Sequence, residues 1–208
     1  ERDLGVCITD DLHWDRQVEN ATAKARGAAY TLSRALISRE IKTWTSLYRT
    51  FVRPHVEYAT STYIPHLTSH LTTLGSVQRW FSKQVPGIGG LEFEEREALC
   101  GLKSVADRIR RGISIETYKM TTGSSGVNQE ILRTLSHVHE TRGREAGNLT
   151  HIKPRKDVRR YSFAAVAPVL WEDVDMEARN ATSLNGFKNA YDRTINSTSD
   201  TTSRNRLF

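Results

Sequence analysis

The feature that most constrains the fold is a long apolar stripe near the N-terminus. Between residues 14 and 36, apolar side chains recur mostly three, four or seven positions apart, the spacing of one face of an α-helix. Alanines occupy the middle of this stripe, so a second helix can approach it closely. Because a helix with one apolar face must pack against other elements, the stripe favours a mainly α fold. Its members are Trp14, Val18, Ala21, Ala25, Ala28, Ala29, Leu32 and Leu36.

Further helices are predicted downstream. Asp10 or Asp11 is expected to cap the first helix, and a second helix over 38–53 is expected to end or kink at Pro54. Ser104, with Asp107 three residues later, indicates the start of another helix. Other helices are predicted over 68–84, 92–99 and 183–195. The inward-facing side chains of the helix over 68–84 are expected to be Leu71, Leu74, Val77, Trp80 and Phe81.

The chain is therefore expected to form a helical bundle preceded by a short β-hairpin, with a basic loop and a C-terminal helix. The hairpin is assigned to residues 1–11 and the bundle to residues 12–122. Gly123-Ser124-Ser125-Gly126 opens a flexible basic linker over 123–160. A C-terminal helical segment over 161–196 and a disordered tail over 197–208 complete the prediction.

Composition excludes several classes of protein. The chain has 208 residues, a net charge of +6 and no apolar run of 18 residues, which argues against a membrane span. Two cysteines, Cys7 and Cys100, are too few for a disulfide scaffold or a cysteine-rich zinc module. The absence of an initial Met and of a signal-peptide pattern suggests a piece of a longer intracellular protein.

No catalytic residue and no metal ligand is predicted. The doublet Asp10-Asp11 resembles a magnesium site, but the third carboxylate and the earlier strand of a polymerase site are missing, so a turn is favoured. His66 and His70 have the i, i+4 spacing of two ligands on one helix, without further ligands. The chain contains no nucleophile elbow, P-loop or dinucleotide fingerprint.

Basic side chains carry the binding prediction. Seven basic and two acidic residues lie between Arg142 and Arg160, and such a cluster can neutralise phosphates. From charge alone, a solvated loop explains this cluster equally well. A helix starting after Ser104 adds cations beside an apolar face, an arrangement that suits backbone contacts to a duplex. The candidate nucleic-acid-binding residues are Arg108, Arg110, Arg111, Lys119, Arg155, Lys156, Arg159 and Arg160.

Several stretches together resemble one family. Residues 47–59 read LYRTFVRPHVEYA and are similar to the LY-x-x-x-VRP-x-LEYA signature of non-LTR (LINE, jockey-like) retrotransposon reverse transcriptases. In order along the chain, the other similar stretches are Leu4-Gly5-Val6 with Leu12 and Trp14, Lys24-Ala25, Leu74 with Val77-Gln78-Arg79, Pro86-Gly87, Glu95-Arg96, Leu99 with Leu102, Arg108 with Arg111-Gly112, Tyr118-Lys119, Thr141-Arg142-Gly143, Phe163, Trp171 and Phe187-Lys188. The resemblance covers nearly the whole chain and corresponds to the C-terminal, thumb and downstream region of that family.

The resemblance implies a thumb-like bundle whose parent enzyme is an RNA-directed DNA polymerase. The catalytic aspartates and their Mg²⁺ would lie upstream, so this fragment itself needs no cofactor. Residues 1–11 would close the palm, with Leu4, Gly5 and Val6 as the primer-grip-like turn. The implied partners are an RNA template, a DNA primer and the upstream palm domain, with no membrane, in the cytoplasm and nucleus.

One alternative belongs to a different class of function. Gln17 stands where the family usually has a histidine, and such departures suggest a divergent copy. In this alternative, the chain is a helical protein-interaction module or a non-functional translated remnant of a mobile element. Exposed aromatic side chains would form the partner surface of such a module.

Overall fold

A computed structural model describes residues 1–127, 131–132 and 149–197, and it is mainly helical, as predicted. The chain begins with a two-stranded antiparallel hairpin in which β1 (Arg2–Asp3) pairs with β2 (Val6–Cys7). The predicted hairpin and helical architecture is therefore confirmed. Half of the predicted flexible linker and almost all of the predicted tail lie outside the described residues.

Helices follow the hairpin through the rest of the described chain, which divides into two compact units, Glu1–Ile109 and Arg110–Phe208. In chain order the helices are α1 (Asp15–Ala35), α2 (Ile41–Leu47), a π-helical turn (Tyr48–Val52), α3 (Arg53–Glu57), α4 (Thr68–Lys83), α5 (Phe93–Leu99), α6 (Val105–Thr121), α7 (Asp157–Arg160), α8 (Phe163–Glu172), α9 (Met176–Arg179) and α10 (Leu184–Ser197).

Helix α1 buries the predicted apolar stripe. Val18, Ala21, Ala25 and Ala29 are buried along it, and the helix packs against α3 and α4. The alanines leave little side-chain bulk between the helices, which permits the close approach that the sequence indicated. The predicted cap of α1 is wrong, because Trp14 is the N-cap residue and Asp11 instead accepts a hydrogen bond from the His13 backbone N–H at 3.0 Å.

Pro54 does not end the second helix. The backbone widens into the π-helical turn before the proline and continues as α3 to Glu57. Proline has no N–H to donate and its ring crowds the carbonyl four residues earlier, so a regular α-helix cannot run through it unchanged. The widened turn lies directly before Pro54, and the prediction that the helix would end there is wrong.

Aromatic packing fills the core of the first unit. The Trp44 and Phe81 rings stack with centroids 4.3 Å apart, and Tyr48 packs on the same phenyl ring at 5.2 Å. The inward prediction is confirmed for Leu74, Val77 and Phe81, which are buried, and is wrong for Trp80, which is 40% exposed. Phe51, in the π-helical turn, is also exposed.

Side-chain caps stabilise the starts of helices α6 and α5. Ser104 Oγ accepts a hydrogen bond from the Asp107 backbone N–H at 3.1 Å and donates to the Asp107 carboxylate at 2.8 Å, which confirms the predicted start of α6. Glu92 and Glu95 form a reciprocal capping box at the start of α5. Both caps satisfy backbone donors that a helix terminus otherwise leaves unpaired.

The second unit has its own aromatic core. Phe187 is fully buried and stacks on Tyr118 with ring centroids 4.5 Å apart. Trp171 lies parallel to the same ring at 6.1 Å. Arg179 donates to the carbonyl oxygens of Trp171 at 2.6 Å and Val174 at 2.8 Å, which satisfies acceptors at the end of α8.

Candidate nucleic-acid interface

The turn of the N-terminal hairpin projects from the first unit. Leu4 and Gly5 both have positive φ angles, 43° and 84°, as the two central residues of a type I′ turn do. Leu4 is 84% exposed, whereas Val6 is buried directly after the turn. The three predicted primer-grip-like residues thus form one turn, with an exposed apolar tip and a buried strand residue behind it.

Two side chains from helical segments hold this hairpin in place. The Tyr58 hydroxyl donates to the Leu4 carbonyl oxygen at 2.6 Å, and the Gln17 side-chain oxygen accepts from the Cys7 backbone N–H at 2.7 Å. Gln17 is itself buried. Because both bonds use the hairpin backbone, they position the turn whatever its side chains are.

The stretch 47–59 joins elements of the first unit through its polar side chains. Arg49 donates to the Gly101 carbonyl oxygen at 2.5 Å. Glu57 accepts two hydrogen bonds from Arg108 and lies 3.6 Å from Arg53. The most specific motif of the sequence therefore has a structural role in these contacts, beyond any role toward a ligand.

Three of the candidate nucleic-acid-binding residues on α6 are engaged within the protein. Arg108 makes a bidentate pair with Glu57 at 2.7 and 2.8 Å, and Arg111 makes a second one with Asp192 at 2.6 and 2.7 Å. Lys119 pairs with Glu116 at 3.0 Å. A phosphate would have to compete with these carboxylates. The fourth candidate on the helix, Arg110, is half-buried.

The remaining candidates lie in one exposed stretch of the second unit, here called the basic segment (residues 153–160). Arg155, Lys156 and Arg159 are exposed and form no salt bridge with any described residue, while Arg160 pairs with Asp157 at 3.1 Å. The basic segment lines a cavity of about 410 Å³ together with Ile152. Cations without internal counter-charges remain available to an external anion.

Sequence reasoning omitted three residues from the site. Lys153 lines the same cavity as Arg155 and Arg159; its position in the charge cluster already pointed to it. Tyr58 and Gln17 support the hairpin turn, and only the fold brings them there. Arg142 and Arg144, the first cations of the predicted cluster, lie outside the described residues.

The histidines and acidic residues of the described ranges do not assemble into a metal site. No group of three His, Cys, Asp or Glu side chains in that part of the chain has the geometry to hold a metal ion. His66 and His70 make an edge-to-face ring contact at 5.8 Å, and the His70 Nε2 atom lies 3.1 Å from the Asp15 carboxylate. No described helix combines the length and the hydropathy needed to cross a membrane.

Comparison with known proteins leaves the chain without a match. No protein-family model, curated protein or solved structure matches this chain.

Proposed function

We propose that this chain is the thumb and downstream helical region of a non-LTR retrotransposon reverse transcriptase, where it binds and positions an RNA/DNA template–primer. The observation that carries the proposal is the exposed basic segment. Its cations at 155, 156 and 159 are exposed and form no salt bridge with any described residue. Contacts of this kind bind the phosphate backbone and position a duplex without reading its sequence.

The hairpin turn supplies the second part of the proposal. Tyr58 and Gln17 hold its backbone, and Leu4 projects as an exposed apolar tip. An apolar tip at a fixed position suits packing against the sugar and base edge of a primer terminus. In the parent enzyme the upstream palm would supply the catalytic aspartates and Mg²⁺, and this chain would carry no cofactor of its own. Its compartments would be the cytoplasm and the nucleus.

The test is a titration of the full chain against a labelled RNA/DNA primer–template at several salt concentrations. With three to five phosphate contacts, the logarithm of the association constant is expected to fall with the logarithm of salt with a slope of roughly −2 to −4. Replacing Arg155 and Arg159 by Ala is expected to reduce the magnitude of that slope by about 2. The control is the double variant Lys42→Ala with Lys83→Ala, which removes two exposed cations outside the basic segment. This control is expected to change the salt slope less.

Absent or salt-insensitive binding contradicts the proposal, as does an equal effect of the two double variants. The second candidate function, a protein-interaction module or inactive remnant, is favoured by exposed apolar side chains such as Leu4, Ile37 and Leu99. Self-association in light scattering, together with no binding of the primer–template, supports that candidate instead.

A further inference from the structure

A serine follows the basic segment directly. Ser162 has Arg159 three positions and Arg160 two positions before it, and no other Ser or Thr in the sequence has arginines at both positions. Basophilic protein kinases recognise this arrangement of arginines, because acidic residues in their substrate cleft pair with the two guanidinium groups. The sequence around Ser162 therefore carries a modification signal in addition to its charge.

The local structure leaves Ser162 accessible. It is half-buried and immediately precedes α8. Its Oγ donates to the Arg159 carbonyl oxygen at 2.8 Å and makes no capping bond to the helix. The four-residue helix α7 before it buries none of its side chains. Unwinding α7 to place the segment in a kinase cleft therefore breaks few packing contacts.

Other serines with an arginine three positions earlier differ in burial. Ser82 and Ser114 are each 2% exposed, and their hydroxyls donate to the carbonyl oxygens of Arg79 and Arg110. A kinase cannot reach these two hydroxyls without unfolding the surrounding helices. Burial thus separates Ser162 from Ser82 and Ser114, whereas Thr182 is exposed but has an arginine only at the third position before it.

We propose that Ser162 is a phosphorylation site for an arginine-directed protein kinase, and that phosphate there weakens binding of nucleic acid by the basic segment. In the reaction, Ser162 Oγ attacks the γ-phosphorus of ATP and forms the new O–P bond. The bond from that phosphorus to the β-phosphate oxygen breaks and releases ADP, while the hydroxyl proton passes to the base of the kinase. The regulatory half of this inference rests on the proposed function.

The expected effect follows from charge. A phosphoserine carries about −1.5 to −2 charges at pH 7, and the basic segment holds five cations and one carboxylate. Phosphate at the N-terminus of α8 is favoured by the helix dipole. Its oxygens would compete with nucleic-acid phosphates for the guanidinium groups of Arg159 and Arg160.

The modification is tested on the full chain with MgATP and the purified catalytic subunit of cyclic-AMP-dependent protein kinase. Mass spectrometry is expected to locate the phosphate at Ser162 and to find none there in Ser162→Ala. Replacing Arg159 and Arg160 by Lys is expected to slow incorporation. Thr182→Ala, which removes an exposed hydroxyl preceded by one arginine, is the matched control and is expected to change little. No phosphate at Ser162, or equal incorporation after the arginine replacements, overturns the site.

Regulation is tested by titrating phosphorylated and unmodified chains with the same RNA/DNA primer–template. Phosphorylation is expected to weaken binding about tenfold at low salt and to reduce the magnitude of the salt slope by about 1 to 2. Kinase-treated Ser162→Ala is expected to bind like the untreated chain. Equal affinities of the two forms overturn the regulation. If the unmodified chain fails to bind at all, the proposed function and its regulation fall together, whereas the phosphate mapping still decides the modification.

Discussion

Arg108 and Glu57 form a bidentate ion pair, with Nε 2.7 Å from one carboxylate oxygen and Nη2 2.8 Å from the other. Both side chains are about one-quarter exposed, at 21% and 24%. The pair connects the start of α6 to the end of α3, fifty-one positions apart in the chain. Arg108, which the sequence analysis predicted to bind nucleic acid, therefore has a structural role in the first unit.

Arg108→Ala is expected to destabilise the chain by about 1–3 kcal/mol, because it removes two charge-assisted hydrogen bonds and leaves Glu57 beside the more distant Arg53. Urea unfolding of the single variants Arg108→Ala and Glu57→Gln and of the double variant measures the coupling. The same Arg108→Ala chain is expected to bind the primer–template with a nearly unchanged salt slope, unlike Arg159→Ala. A slope reduced equally by both variants contradicts the assignment of Arg108 to the fold.

Gly5→Ala is expected to destabilise the hairpin by roughly 1–2 kcal/mol, since its φ of 84° is costly for any residue with a Cβ. An added Cβ would make only an ordinary contact with Tyr58 at 3.7 Å, so the cost comes from the backbone. Hydrogen exchange at the Cys7 amide and urea unfolding measure the loss.

Gly27→Ala is the matched control for the hairpin variant. Gly27 lies inside α1 with open space around the added Cβ, and alanine favours a helix interior by roughly 0.5–1 kcal/mol over glycine. The control is therefore expected to stabilise the chain. If Gly5→Ala and Gly27→Ala change the free energy of unfolding in the same direction, the turn geometry assigned to Gly5 is contradicted.

Replacing Tyr48 or Tyr63, two buried tyrosines of the first unit, by Phe is expected to change the stability of the chain differently. The Tyr48 hydroxyl donates to the Gln78 side-chain oxygen at 2.9 Å, so Tyr48→Phe leaves that buried acceptor unpaired and is expected to cost about 1–3 kcal/mol. The Tyr63 hydroxyl has no hydrogen-bond partner in the described part of the chain. Gln17 is close enough to Tyr63 to lower its pKa against the larger effect of burial, but the Gln17 side-chain oxygen already accepts from the Cys7 N–H at 2.7 Å.

Tyr63→Phe is therefore expected to be neutral or slightly stabilising, because it removes a buried polar atom that gains nothing in the fold. Thermal or urea unfolding of the two variants under one set of conditions decides the comparison. Equal destabilisation by both substitutions is the result that this interpretation does not allow.

Stability is expected to fall in alkali because of Tyr63. Burial raises the pKa of Tyr63 from 10.0 to about 12. Below pH 10 both the folded and the unfolded chain keep this phenol protonated, so its contribution to stability is fully present. Between pH 10 and about 12 only the unfolded chain ionises, and stability is lost by about 1.4 kcal/mol for each pH unit. Urea unfolding from pH 8 to 12 measures this loss, and a Tyr63→Phe chain is expected to show a shallower decline.

Local sequence patterns predicted much of the fold. The stripe of α1, the start of α6 at Ser104 and the breaks between helices depend on residues close together in the chain, whose spacing and backbone preferences act locally. The errors arise where local rules compete with packing. Trp80 is apolar and was expected to point inward, but the packing of α4 leaves it 40% exposed.

Part of the candidate site could likewise be predicted from the sequence, and part depends on the tertiary structure. The sequence by itself determined the concentration of positive charge in residues 153–160, because charge belongs to the residues themselves. The turn at Leu4 and Gly5 was expected only from the family resemblance. Only the tertiary structure decided which cations remain available. Arg108 and Arg111 meet Glu57 and Asp192 across 51 and 81 positions, and contacts between such distant residues exist only after the chain has folded.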